Sequence, residues 1–156
     1  MFSLKKTYPL LLLLSLILSL PPAPLYGAAH RIDKSPSAEK PAAHAPLPGP
    51  GKKVPLADGY YFIYGFDKKP KLGTVIMKVE VFTKDGKKDT SLEVKGDAGM
   101  PSMRGAHETG ERPFQLSKKG DYLLPVNIVM PGDWEIRLTF FRGGKVVFRG
   151  RYNFDV

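Results

Sequence analysis

The end of the chain alternates between large apolar and polar residues, and this pattern constrains the fold more than any other feature. The alternation runs through residues 134–142 and returns in 145–156, with Gly143-Gly144 between the two runs. Side chains with a period of two lie on opposite faces of a β-strand, and a glycine pair between such runs is typical of a hairpin turn. The sequence therefore predicts an antiparallel hairpin with one buried face. On that face we expect Trp134, Ile136, Leu138, Phe140, Val146, Phe148, Gly150, Tyr152, Phe154 and Val156.

Shorter runs upstream predict further strands, and no segment has a helical period. The predicted strands are 60–65, 75–83, 91–95, 114–116 and 122–130. Within 75–83, Met77 shares a face with apolar neighbours and is expected in the core. Many short strands separated by turn residues predict an all-β fold, an immunoglobulin-like antiparallel β-sandwich of about six or seven strands. We place this domain at residues 55–156, and a small barrel is the alternative.

The N-terminus has the pattern of an export signal. Lys5 and Lys6 precede a largely apolar run at 10–20, which is shorter than the roughly 20 residues of a membrane-spanning helix. Prolines follow this run, and small residues precede a cleavage position after Ala29. We therefore predict a signal peptide at 1–29, cleaved on export to the periplasm or cell exterior. Membrane anchoring by an uncleaved N-terminal segment is the alternative.

Residues 30–54 are rich in Pro, Ala and Lys, which predicts a disordered linker. The formal net charge is +9, but the lysine pairs stand beside turn residues and are not interleaved with aromatic residues. This arrangement is unlike a nucleic-acid-binding surface, so nucleic acid is not an expected partner. Peripheral contact with an anionic membrane face stays open. The oligomeric state is not indicated.

The absence of cysteine excludes disulfides, thiolate metal sites and thiol catalysis. Residues 96–113 form a predicted long loop that contains Met100, Met103 and His107. Thioether sulfur prefers Cu(I), and imidazole binds either oxidation state of copper. The spacing Met100-x-x-Met103 would let two sulfurs reach one ion, with His107 or Met130 as a third ligand. The alternative is that the methionines fill the open end of the sandwich and His107 is a surface residue.

Three short motifs occur in a fixed order: GMPSMRGAH at 99–107, GDY at 120–122 and MPGDWEI at 130–136. Together they resemble the YtkA-like domain family, which is related to the FixH proteins of cytochrome oxidase assembly. The resemblance covers roughly residues 73–156. The matching residues are Met100, Pro101, Met103, Tyr122, Pro131, Gly132 and Trp134. The family often places Gly and His directly after the second Met, whereas three residues precede His107 here.

The resemblance implies a small extracytoplasmic β-sandwich that accompanies copper or heavy-metal transport systems and binds metal through its Met/His loop. It also implies a partner in a membrane-associated transport or oxidase assembly complex. The other hypothesis is a metal-independent structural module that docks on an envelope membrane complex.

Two further hypotheses concern His30 and the carboxylates near His107. Cleavage near Ala29 would leave His30 at or close to a new N-terminus, where it could chelate Cu(II). Glu108 and Glu111 near His107 are residue types used in acid–base catalysis, but a solvated acidic turn explains them better. No phosphate-binding loop, nucleophile elbow or HExxH motif is present. We therefore predict a binding protein and not an enzyme.

Overall fold

The alternating runs form strands whose apolar faces meet between two sheets. The computed structural model describes residues 43–156. Within this range, helical structure is confined to short 3-10 turns at Ala57–Gly59 and Pro101–Met103, and no helix is long and apolar enough to span a bilayer. The strands are β1 (Ala45–Pro46), β2 (Lys53–Pro55), β3 (Tyr61–Phe66), β4 (Gly73–Phe82), β5 (Glu93–Gly99), β6 (Arg112–Pro113), β7 (Gln115–Leu116), β8 (Tyr122–Ile128), β9 (Asp133–Arg142) and β10 (Lys145–Asp155).

The strands form two open sheets of five strands each. Sheet A has the order β1-β10-β9-β5-β6, and sheet B has the order β2-β3-β4-β8-β7. Every pairing is antiparallel except that of β1 with β10. This architecture confirms the predicted β-sandwich and differs from the barrel alternative. The structure has three strands more than predicted, because β1, β2 and β6 are too short to show a period of two.

The core lies between the sheets and is largely aromatic and β-branched. The rings of Phe62 on β3 and Phe140 on β9 bring the two sheets together, with centroids 4.6 Å apart. Met77 is fully buried, as its place in the alternation predicts. The largest fully buried side chains are Trp134, Tyr64, Phe62, Phe140, Met77, Ile128, Ile136 and Leu138.

The ordered fold begins before the predicted boundary at Pro55. Strands β1 and β2 both start within the segment 30–54, which the sequence assigns to a linker. Leu47 packs against the core, and Val54 is buried within it. The segment of Leu47 pairs with β10, far along the chain, whereas Val54 pairs with Phe62 on the next strand. Both apolar residues stand alone in a Pro/Ala/Lys-rich stretch, so local composition does not reveal their strands. The predicted signal peptide at 1–29, and the linker as far as residue 42, lie outside the described residues.

The outer half of the hairpin also differs from the prediction. A β-bulge interrupts β10 between Val146 and Phe148, because Val146 pairs with Phe141 while Phe148 pairs with Phe140. The bulge shifts the alternation by one residue, so Val146 is exposed and not buried as expected. On β9, by contrast, Glu135 and Thr139 are buried although the pattern points them outward.

Candidate metal centre

The loop that contains the predicted ligands is shorter than expected and is folded by its own backbone. Strand β5 continues to Gly99, so the loop spans residues 100–111. The amide of Met103 donates to the carbonyl of Met100 at 3.0 Å, and the amide of Ala106 donates to the carbonyl of Met103 at 3.1 Å. These two successive turns hold Met103 at a fixed position beyond the end of β5.

Met100 is seated in the open end of the sandwich. Its side chain is only 4% exposed. The Cε atom lies 2.8 Å from the position that a Cβ on Gly132 would occupy, so a side chain there would displace Met100. Gly132 belongs to the turn between β8 and β9, two residues after Met130. Met130 packs half-buried against the same core, and its carbonyl accepts a hydrogen bond of 3.1 Å from Trp134 Nε1. Met100 and Met130 therefore lie at one end of the fold.

Met103 lies at the same end but faces solvent, with 40% of its surface exposed. Its neighbour Ser102 fixes this position through Asp133, the first residue of β9. The Ser102 amide donates to Asp133 Oδ2 at 3.0 Å, and the hydroxyl donates to Oδ1. The hydrogen bond from the Ser102 hydroxyl is the main reason that the pKa of Asp133 falls below its ordinary value. The backbone at Met103 is thus held beside the start of β9.

His107 lies farther along the loop. The next residue, Glu108, packs over Gly99, where its Cγ lies 3.0 Å from the position of an added Cβ. No hydrogen bond or ion pair within residues 43–156 involves the His107 imidazole. In the same part of the chain, no three His, Cys, Asp or Glu side chains are grouped so that they could hold a metal ion. The structure brings the three methionines to one end without linking His107 to them.

A row of polar contacts between the loop and β9 was not anticipated from the sequence. Asp133, Glu135 and Arg137 occupy successive outward positions of β9. Each contacts one loop residue, and the pairs are Asp133 with Ser102, Glu135 with Arg104, and Arg137 with Glu108. The available signal was the alternation of charge on β9 together with residues of opposite charge in the loop. Alternation alone indicates that this face of β9 is exposed to solvent. The face is an internal contact surface because the loop covers it, and the sequence does not show that the loop lies there.

A small polar pocket of about 110 Å³ adjoins this row on the outer face of sheet A. Its lining residues are His44, Asp97, Glu111, Arg137 and Thr139. Burial, followed by the charges of Arg137 and Arg149, lowers the pKa of His44 below its ordinary value. Glu111 lines the pocket and Glu108 pairs with Arg137, so the expected acidic turn is only partly solvated.

No protein-family model and no curated protein matches the chain. Among solved structures, the chain is similar to FetP of uropathogenic E. coli strain F11, recombinantly expressed in the periplasm of E. coli. The identity is 13% over 69% of this chain and 93% of that chain, with a TM-score of 0.46. A copper-bound variant of FetP is similar at 13% identity over 67% of this chain and 93% of that chain, with a TM-score of 0.45. A likeness at this level does not show what this chain binds.

Proposed function

We propose that the chain is an extracytoplasmic metal-handling domain that binds Cu(I) through the thioethers of Met100, Met103 and Met130. The packing of Met100 against Gly132 carries the proposal, because it places Met100 at the turn between β8 and β9, which also contains Met130. Thioethers are soft ligands that suit Cu(I). A site made of thioethers alone does not require a cluster of three His, Cys, Asp or Glu side chains, which residues 43–156 do not contain. The proposed activity is metal binding without catalysis.

The chemistry of the compartment supports this choice of ligand. The export signal predicted for 1–29 would place the domain outside the cytoplasm, and the chain contains no cysteine. Methionine and histidine are then the soft or borderline ligands that remain. Met103 is exposed enough to meet incoming metal, while Met100 is buried. We propose that Met103 receives the ion and that Met100 and Met130 complete its coordination, with His107 as a further ligand if the loop closes over the ion.

Metal exchange would involve a membrane-associated transport or oxidase assembly complex, in line with the family resemblance. A second candidate function is a metal-independent module that docks on such a complex. The observation that favours it is an apolar patch at the methionine end of sheet B, where Leu72 and Val129 are 54% and 55% exposed. They flank the paired residues Gly73 and Ile128, so they lie side by side.

Anaerobic titration with Cu(I), in competition with a coloured Cu(I) chelator, tests the first function. The double variant Met100→Leu, Met103→Leu keeps the apolar volume and removes two sulfurs. We expect its affinity to fall at least about tenfold. Met77→Leu is the matched control, since Met77 is fully buried on β4 and remote from the loop, and it should bind as the wild type does. Wild-type affinity in the double variant, with a native circular dichroism spectrum, would refute the proposal.

Recovery of partners from solubilised membranes, with copper removed by a chelator, tests the second function. The variant Leu72→Ser, Val129→Ser should lose the partner, whereas Leu116→Ser should retain it, because Leu116 is equally exposed but lies at the opposite end of the fold. Capture that needs copper and the methionines instead would favour metal transfer.

A further inference from the structure

The contacts between β9 and the loop form a regular series. Positions 133, 135 and 137 lie on one face of β9, and they hold loop residues 102, 104 and 108 in the same order. Met103 stands between the first two of these loop residues. Beyond the backbone turns of the loop, its place relative to the sheet is therefore set by Ser102 on one side and by Arg104 on the other.

The contact of Arg104, on the C-terminal side of Met103, is made with the buried carboxylate of Glu135. The side chain of Glu135 is 6% exposed, and its Oε1 lies 3.4 Å from Nη2 of Arg104 and 3.8 Å from Nε of Arg137. A carboxylate removed from water needs cationic partners, and here one partner belongs to the sheet and the other to the loop. About half of the Arg104 side chain is exposed, and its other carboxylate partner, Glu108 at 4.0 Å, belongs to the loop itself. Glu135 is therefore the residue that binds Arg104 to the sheet.

The far side of the loop is secured separately. Arg137 Nη2 lies 3.0 Å from Glu108 Oε1 and also binds Asp97. Thr109 exchanges two hydrogen bonds with Ala98, of 2.9 Å and 3.0 Å. Removing the charge of Glu135 would therefore loosen the Arg104 side of Met103, while Ser102 stays bound to Asp133 and the part around Thr109 stays attached.

We infer that Glu135 is a positioning residue for the methionine loop, which holds Met103 in place through Arg104 and so controls how firmly the end of the sandwich retains a metal ion. The part concerning metal rests on the proposed function. The part concerning the loop is independent of it. Glu135 has no direct role as a ligand in this inference.

The test is Glu135→Gln in the whole chain, measured by amide hydrogen exchange without metal and by dissociation of Cu(I). Loss of a charge-assisted hydrogen bond predicts an increase of about tenfold in the exchange rates of the Met103 and Ala106 amides. The Thr109 amide and the amides of β9 should keep their wild-type rates. Cu(I) should dissociate several times faster, and Glu135→Asp, which keeps the charge, should recover part of both effects.

Two variants make the result decisive. Arg104→Gln removes the same contact from the exposed side, so it should reproduce the faster exchange even if Glu135→Gln folds poorly. Glu80→Gln is the matched control, because Glu80 is an ion-paired carboxylate on the outer face of the other sheet, 2.9 Å from Lys78 and Lys88. Unchanged exchange at Met103 and Ala106 in both loop variants would overturn the inference. If the wild type binds no Cu(I), the proposed function fails, and the exchange rates alone decide the role of Glu135.

Discussion

The outer faces of the two sheets arise from the same alternation of residues but have different environments. On sheet B, Lys88 lies 2.9 Å from Glu80 and also binds Asp121, and these side chains remain in contact with solvent. On sheet A, Glu135 is 5% exposed and Arg137 is surrounded by carboxylates, because the loop 100–111 crosses this face. One face is a solvated surface, and the other is an interface within the chain.

This difference in solvent exposure determines how much each charge contributes to the stability of the fold. Water and salt screen an exposed ion pair, which therefore adds little to stability. A covered charge depends on its partners, because it cannot regain its hydration while the loop stays in place. The charges of sheet B can thus be exchanged at small cost, whereas those of sheet A hold the methionine loop at one location.

The largest expected effect comes from removing the central cation of sheet A, and removal of its counterpart on sheet B provides the comparison. Arg137→Met leaves Asp97, Glu108 and Glu135 close together without the cation that separates them. We expect it to lower the free energy of unfolding by about 3 kcal/mol. Lys88→Met removes a comparable cation from Glu80 and Asp121 and should cost less than about 1 kcal/mol. Urea unfolding of both variants at neutral pH measures the difference.

Equal losses in the two variants would contradict the comparison. They would mean that water reaches the charges of sheet A as freely as those of sheet B. Arg137→Lys provides an intermediate case, because lysine keeps the charge but cannot contact three carboxylates through a planar fork. Its loss of stability should fall between those of the other two variants.

The sequence predicted the long strands well, because β4, β8, β9 and β10 carry enough alternating residues to establish a period. It failed where pairing depends on distant residues. Strand β1 contains only Ala45 and Pro46, and it exists because it pairs with Gly150 and Arg151. The bulge at Val147 likewise has no local signal, since valine fits either face of a strand.

The candidate site was predictable in its residue types but not in its arrangement. Methionine spacing marked Met100 and Met103 as candidate ligands, which stays a prediction, and the structure adds that Met100 is buried against Gly132. That contact joins segments separated by the whole of β6 to β8, so no local pattern contains it. The role of Glu135 could not be predicted for a similar reason. A glutamate in an alternating strand is expected to be exposed to solvent unless a loop is known to cover it.

A change in salt concentration tests the same comparison between the two faces, and its expected effect on stability is smaller. Raising the NaCl concentration to 1 M shortens the screening length to about 3 Å, which weakens exposed pairs far more than covered ones. The stability difference between wild type and Lys88→Met should therefore nearly disappear. The difference between wild type and Arg137→Met should persist. Parallel urea titrations at low and high salt measure both, and equal attenuation would show that the loop does not shield Arg137.

The smallest expected effect concerns His44 at the margin of the covered face. Burial, Arg137 and Arg149 lower its pKa in the folded state from the ordinary 6.5. The unfolded chain then binds more protons than the folded one once the pH falls below about 6.5, so the contribution of His44 to stability is complete above that pH and is lost on acidification. The negative charges of nearby Glu135 and Glu111 oppose this lowering of the pKa.

Between pH 7.5 and pH 5.5, wild type should therefore lose slightly more stability than His44→Gln, as judged by the urea midpoint. Arg149→Met should reduce the loss, because it removes one of the charges that disfavour the imidazolium, and an NMR titration of the His44 ring should move in the same direction. A wild-type slope equal to that of His44→Gln would place His44 in free solvent. The part of sheet A that is shielded from solvent would then extend only as far as Thr139 on β9 and would not include the β1 edge.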